Sequence, residues 1–170
     1  MLKKTVLFVL TIFFVYPVEA IPFNKNWVEK LPQGWIRSFP KENEIPSSQR
    51  YPNAGAIYLL DEDILYVADK TQVRVVIMKI VNRRGYEYAE VNTPAYREDE
   101  SVEVRGRTKR KDGSVVELKE EDIHEVSIYQ DLKKKKFTLP AIEDDCLIHY
   151  EIVYHSDRYS LVGIRYFQND

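Results

Sequence analysis

Val102-Glu103-Val104-Arg105-Gly106-Arg107-Thr108-Lys109 is the cleanest two-residue alternation in the chain. Val102, Val104, Gly106 and Thr108 fall on one side, and Glu103, Arg105, Arg107 and Lys109 on the other. Successive strand side chains point to opposite faces, so the stretch reads as a strand with one buried and one solvated face. Gly106 on the inward side indicates a bulge or a close approach to the backbone. Lys111-Asp112-Gly113 follows. Asp-Gly readily takes positive φ, which predicts a hairpin into Ser114 to Leu118.

The same pattern extends in both directions. Upstream, Ala54 to Leu60 and Ile64 to Ala68 are apolar runs split by Asp61-Glu62-Asp63, an expected hairpin loop. Thr71 to Val81 is rich in Val and Ile. Asn82-Arg83-Arg84-Gly85 supplies a turn, and Tyr86 to Asn92 is expected to return as a strand. Downstream, Val126 to Tyr129, Lys136 to Leu139, Cys146 to Tyr154 and Tyr159 to Phe167 complete about nine or ten short strands, the signature of a sandwich or barrel. No stretch after Pro52 has helical periodicity.

The N-terminal third differs. Met1 to Ala20 has Lys3 and Lys4, an apolar run from Val6 to Val15, Pro17, and then Val18 and Ala20 at the positions that precede a cut. This is the layout of a secretory signal peptide, with cleavage expected between Ala20 and Ile21. The apolar run is shorter than the about 20 residues that a membrane span needs. Residues 21–52 form a Pro-rich lead-in with Pro32, Pro40, Pro46 and Pro52, too dense in proline for long regular elements. Trp27, Val28 and Leu31 have helical spacing. Trp27 or Trp35 is expected to pack this lead-in on the sandwich formed by residues 53–170.

The 170 residues carry 25 Lys+Arg and 27 Asp+Glu, a formal net charge of -2, with 44% hydrophobic content. A disordered tail and a strongly basic nucleic-acid binder are thereby excluded. Cys146 is the single cysteine. An internal disulfide is therefore impossible, and stability is expected to come from a packed core.

Candidate chemistry is sparse. Cys146 and His149 form a nucleophile–base pair by residue type, but their strand phase sends them to opposite faces, and His124 brings no activating motif. His149, Glu151 and His155 share a face and are metal-ligand types. Six residues of strand separate the two histidines by about 20 Å, which excludes a shared ion on a straight strand. They are expected to be exposed sheet residues. Asp61-Glu62-Asp63 and Glu143-Asp144-Asp145 offer oxygen ligands of the kind calcium takes, without EF-hand spacing, and are expected in solvated turns. Lys133 to Lys136 beside Tyr129 and Phe137 is expected as a solvated loop or an edge strand guarded by lysine. No catalytic, cofactor or metal residue is assigned.

Four segments together carry a resemblance: YPNAGAIYLLDED (51–63), IVNRRGYEYAEV (80–91), VRGRTKRKDGSVVEL (104–118) and FTLPAIEDDCLIHYEIVYHSD (137–157). Their order is similar to the domain-of-unknown-function family found N-terminal to transglutaminase-like domains in bacterial secreted proteins. The chain departs from that family at Glu143-Asp144-Asp145, where a Gly is usual. The resemblance implies an immunoglobulin-like antiparallel β-sandwich with no activity of its own. The catalytic Cys-His-Asp of longer relatives lies in a following domain, so no catalytic residue carries over, and Cys146 does not correspond to that nucleophile.

The expectation is an all-β, immunoglobulin-like antiparallel sandwich with a short, partly helical lead-in. It is exported to the periplasm or the medium, without a membrane span once the signal peptide is cut. It is expected to be non-catalytic, to need no cofactor and no metal, and not to bind nucleic acid. Its expected work is binding a protein partner or a cell-envelope polymer. The alternative is a detached accessory domain of a transglutaminase-like or peptidase-like enzyme.

Overall fold

In the computed structural model, residues 33–66 and 69–156 are described. The expected signal-peptide cleavage site at Ala20 and Ile21, Trp27, and the expected strand from Tyr159 to Phe167 lie outside them. Among the described residues, nine strands make two antiparallel sheets, the arrangement expected from the alternation.

The first sheet has five strands: β1 (Ala56–Tyr66), β2 (Thr71–Ile80), β9 (Leu147–His155), β5 (Ser101–Lys109) and β6 (Val115–Glu117), in the spatial order β1-β2-β9-β5-β6. The second is built around β8 (Leu132–Thr138). β3 (Glu90–Asn92) and β4 (Tyr96–Arg97) pair with β8 at different heights, and β7 (Ile123–Tyr129) also pairs with it. Between the sheets lie Val76, Met78 and Ile80 of β2, Ile148, Tyr150 and Ile152 of β9, Val102 of β5, and Val91, Tyr96, Phe137 and Leu139 from the other side. These are the inward members of each alternation, so the periodicity alone places them in the core.

Gly106 confirms the close approach expected of it. A Cβ there would stand 2.6 Å from Leu139 Cδ2 and 3.1 Å from Leu118 Cβ. The hairpin over Gly113, with φ of 86°, joins β5 to β6 as expected.

Three local expectations are corrected. Asp61-Glu62-Asp63 is not a loop but the middle of a single 11-residue strand. Its charges stay in the ladder because cations meet them: Arg74 across the pair reaches Asp61 at 3.2 Å, and Arg37 reaches Glu62 at 2.9 Å. Residues Tyr86 to Ala89 are not strand. They belong to a 3₁₀ helix over Arg83–Ala89 that is started by Asn82, whose side chain accepts from Arg84 N at 3.0 Å. Gly85 lies there against Gly55, and a Cβ at Gly85 would come within 2.0 Å of Gly55 O. Finally, Lys133 to Lys136 is neither a loop nor an edge. It lies in β8, flanked by strands on both sides. Glu125 meets Lys133 at 3.1 Å and Glu90 meets Lys136, which neutralises two of the four lysines, and Lys135 donates to Val102 O.

The described part of the lead-in, residues 33–52, is irregular, with short 3₁₀ turns at Glu42–Glu44 and Ser48–Arg50. It crosses the outer face of the first sheet. This explains why β2 and β9 are buried on both faces.

Candidate functional site

The outer face of the five-stranded sheet carries Arg105 and Arg107 on β5 beside Glu151 and His149 on β9, in register with each other. Alternation along an isolated strand leaves these four side chains facing water. Here the segment from Gly34 to Phe39 lies over them. His149 and Glu151 are 0% exposed. Their expected place as exposed sheet residues is therefore overturned, because a cover from more than a hundred residues away in sequence removes the solvent.

Four hydrogen bonds join the sheet to the cover's backbone, beside the side-chain pair of Arg37 with Glu62 of β1. Glu151 Oε1 accepts from Ile36 N at 2.8 Å and Arg37 N at 3.2 Å. Arg105 donates to Gly34 O at 2.6 Å, and Arg107 donates to Arg37 O at 3.1 Å. The aromatic side chains close the site. Trp35 packs at 4.5 Å between ring centroids on His149, and the Arg107 guanidinium carbon sits 4.0 Å from the Trp35 ring centroid. Phe39 approaches both Arg107 and His149. Trp35 thus packs the lead-in on the sandwich, as expected of one of the two tryptophans. Ile36 joins a second apolar cluster with Tyr66, Val73, Val75 and Val153.

Arg107 Nε donates to His149 Nδ1 at 3.1 Å, which assigns that nitrogen as acceptor and the ring as neutral. Burial, joined by the Arg107 charge, pushes the His149 imidazole below its ordinary range, and neighbouring Glu151 offsets this only in part. Burial likewise lowers Arg107. His149 Nε2 stands 3.3 Å from Glu151 Oε1 but without hydrogen-bond alignment. That oxygen is engaged by the two backbone N–H groups. His149 Nε2 and Glu151 Oε2 are buried with no hydrogen-bond partner.

The other candidates are separated. Cys146 lies in the core between the sheets, on the side of β9 opposite His149, and burial raises its thiol. His124 is exposed on β7 in the second sheet. His155 pairs with Thr71 Oγ1 at 2.6 Å. In the Glu143-Asp144-Asp145 turn, Glu143 binds Arg110 at 2.8 Å, Tyr86 donates to Asp144 at 3.1 Å, and Asp145 takes Ser48 and Lys79. The turn is solvent-accessible as expected, with Asp144 exposed, and these contacts also tie it into the fold. The Arg110 contact holds Glu143 below the usual carboxylate range. Among the described residues no three His, Cys, Asp or Glu side chains converge as a metal site, and no helix is long and apolar enough to cross a membrane.

The Arg107–His149–Glu151 cluster was missed by alternation, but two signals pointed to it. Leu147 and Val153 share the His149 face, which makes β9 apolar on both sides. Trp35-Ile36 is unusually apolar for a proline-rich lead-in.

No family model matches the chain, and no curated protein matches it. A solved structure from Parabacteroides distasonis, described as a "putative protease", resembles it with a TM-score of 0.53 at 18% identity. The match covers 63% of this chain and 24% of that one, so the chain spans about a quarter of that protein's length. At that identity the likeness shows the fold: an all-β, two-sheet sandwich.

Proposed function

We propose that this chain is an exported, non-catalytic β-sandwich module that serves a peptidase-like or transglutaminase-like catalytic domain, with binding as its own contribution. The observation that carries the reading is the solved neighbour, in which the part similar to this chain makes up about a quarter of a larger protein described as a "putative protease". Its support for an accessory role exceeds that for a free-standing polymer binder. The buried cluster fits the same reading, since His149 and Glu151 have no route to a substrate while Trp35 covers them.

The test is in-cell cross-linking of the full chain followed by mass spectrometry, together with casein-hydrolysis and amine-incorporation assays on the purified protein. The expected result is a cross-linked protein with a Cys-His-Asp catalytic domain and no turnover by the chain alone. Turnover lost on Cys146→Ser or His149→Gln, or cross-links only to envelope polymer, would overturn the proposal.

A further inference from the structure

The outer face of the five-stranded sheet binds its cover as a receptor binds an extended peptide. It holds a carbonyl (Gly34), a ring (Trp35), two successive N–H groups (Ile36, Arg37), a second carbonyl (Arg37) and a second ring (Phe39). Main-chain bonds supply affinity in such recognition, and side-chain slots supply selectivity. The slots here are the surface of Arg107 and His149 for an indole, the Val73, Val75 and Val153 cluster for a branched aliphatic, and Glu62 for a cation. Nothing in this arrangement depends on the segment being attached to the same chain.

The fit is also incomplete. Glu151 Oε2 is fully buried beneath the cover without a hydrogen-bond partner, and buried His149 Nε2 has only an unaligned approach to Glu151 Oε1 at 3.3 Å. Buried polar groups are ordinarily satisfied, so this face has more bonding capacity than its own segment uses. Glu151 takes main-chain N–H groups, Arg105 and Arg107 take main-chain carbonyls, and Glu62 takes a guanidinium, so the face matches an extended backbone that carries one cationic side chain.

We propose that this face is a peptide-recognition cleft occupied in cis by residues 34–39. Its partner is an extended segment of another protein with the pattern Trp, aliphatic, Arg or Lys, any residue, aromatic. The cis segment competes with that partner, so the intact chain binds it weakly and a chain whose cover is loosened binds it well. This does not depend on the accessory-domain reading.

The probe is a fluorescein-labelled peptide, Gln-Gly-Trp-Ile-Arg-Ser-Phe, copied from residues 33–39 and titrated by anisotropy into the full chain. Because a competing occupant lowers apparent affinity by the fraction of cleft left open, Trp35→Ala is expected to bind it about tenfold more tightly than the native chain. Phe39→Ala, which removes less packing, is the second variant if circular dichroism shows Trp35→Ala unfolded. Methylating the peptide nitrogens of Ile and Arg, or adding Glu151→Ala to the chain, is expected to abolish the gain. Equal binding to native and loosened chains, no binding to a folded variant, or binding that survives methylation would overturn the proposal. A native dimer that the peptide disperses would assign the cleft to a second copy, and would overturn it as well.

Discussion

Glu151 and Ile36 are 115 residues apart in sequence, and the Ile36 N–H donates to the Glu151 carboxylate at 2.8 Å. The same oxygen takes the Arg37 N–H. One buried carboxylate thus fixes the path of the lead-in across the sheet. Glu151→Ala is expected to leave both N–H groups without an acceptor and to cost about 2–4 kcal/mol. Glu151→Gln keeps one acceptor oxygen and is expected to cost less. Urea unfolding monitored by far-ultraviolet circular dichroism gives both values. A midpoint unchanged in Glu151→Ala would show that the carboxylate does not hold the cover.

Trp35 contributes by area and by its contact with a cation. Truncating a half-buried aromatic removes apolar contact, and removing the ring above Arg107 also deletes a cation–π interaction. Because Trp35 is half-buried, Trp35→Ala is expected to lower stability by about 2 kcal/mol, less than a fully buried aromatic would, and Trp35→Phe by clearly less. Thermal melts of the two variants and the native protein test that order. Equal melting temperatures for Ala and native protein would contradict the packing.

The sequence made the sandwich legible because a strand's inward positions repeat every second residue, as at Val102, Val104 and Gly106. That signal reports which residues face the core between sheets. It cannot report a second cover. His149, Glu151, Arg105 and Arg107 therefore looked solvated, although the chain later folds back over them. Local composition misled at Asp61-Glu62-Asp63 for a related reason. Three consecutive acids resemble a loop until Arg74 and Arg37, contributed by other segments, stand beside them. The lysine run of β8 is the mirror case, with Lys133 and Lys136 paired to Glu125 and Glu90. Tyr86 to Ala89 failed through backbone chemistry: the Asn82 cap and the Gly55–Gly85 contact favour a 3₁₀ turn over extension.

Stability is expected to depend on pH through His149. The folded imidazole lies below its ordinary value of 6.5 because of burial and the Arg107 charge. Between the folded and unfolded values the unfolded chain holds more protons, so stability rises with pH. The contribution is complete above about 6.5 and is lost as pH falls below it. Urea midpoints measured from pH 7.5 to pH 5 should fall on acidification. The fall should be shallower in His149→Gln, whose amide oxygen still accepts from Arg107. Parallel profiles for the two proteins would exclude His149 as the source.

Cys146 is expected to be inert. Burial raises its thiol, and thiolate is the reactive form. A disulfide reagent should label native protein slowly and denatured protein at once. Cys146→Ser should cost about 1 kcal/mol or somewhat more, since it places a hydroxyl among Met78, Ile80 and Ile148. Rapid labelling of folded protein would place the thiol at the surface instead.

Gly106 tests the packing between the sheets. Its missing side chain leaves room for Leu139, whose Cδ2 would lie 2.6 Å from an added Cβ, well inside contact distance. Leu118 crowds the same place, and its N–H donates to Gly106 O at 2.8 Å, so the backbone has little freedom to retreat. Gly106→Ala is expected to destabilise by about 1–3 kcal/mol through overpacking. The clash is with the end of a flexible side chain, so shortening that side chain should relieve it. Gly106→Ala combined with Leu139→Val is expected to be more stable than the sum of the two single changes predicts, because residues in contact do not add. A double-mutant cycle by urea unfolding measures the coupling. Strict additivity would show that the added methyl is accommodated elsewhere, and that Leu139 does not set the requirement for glycine.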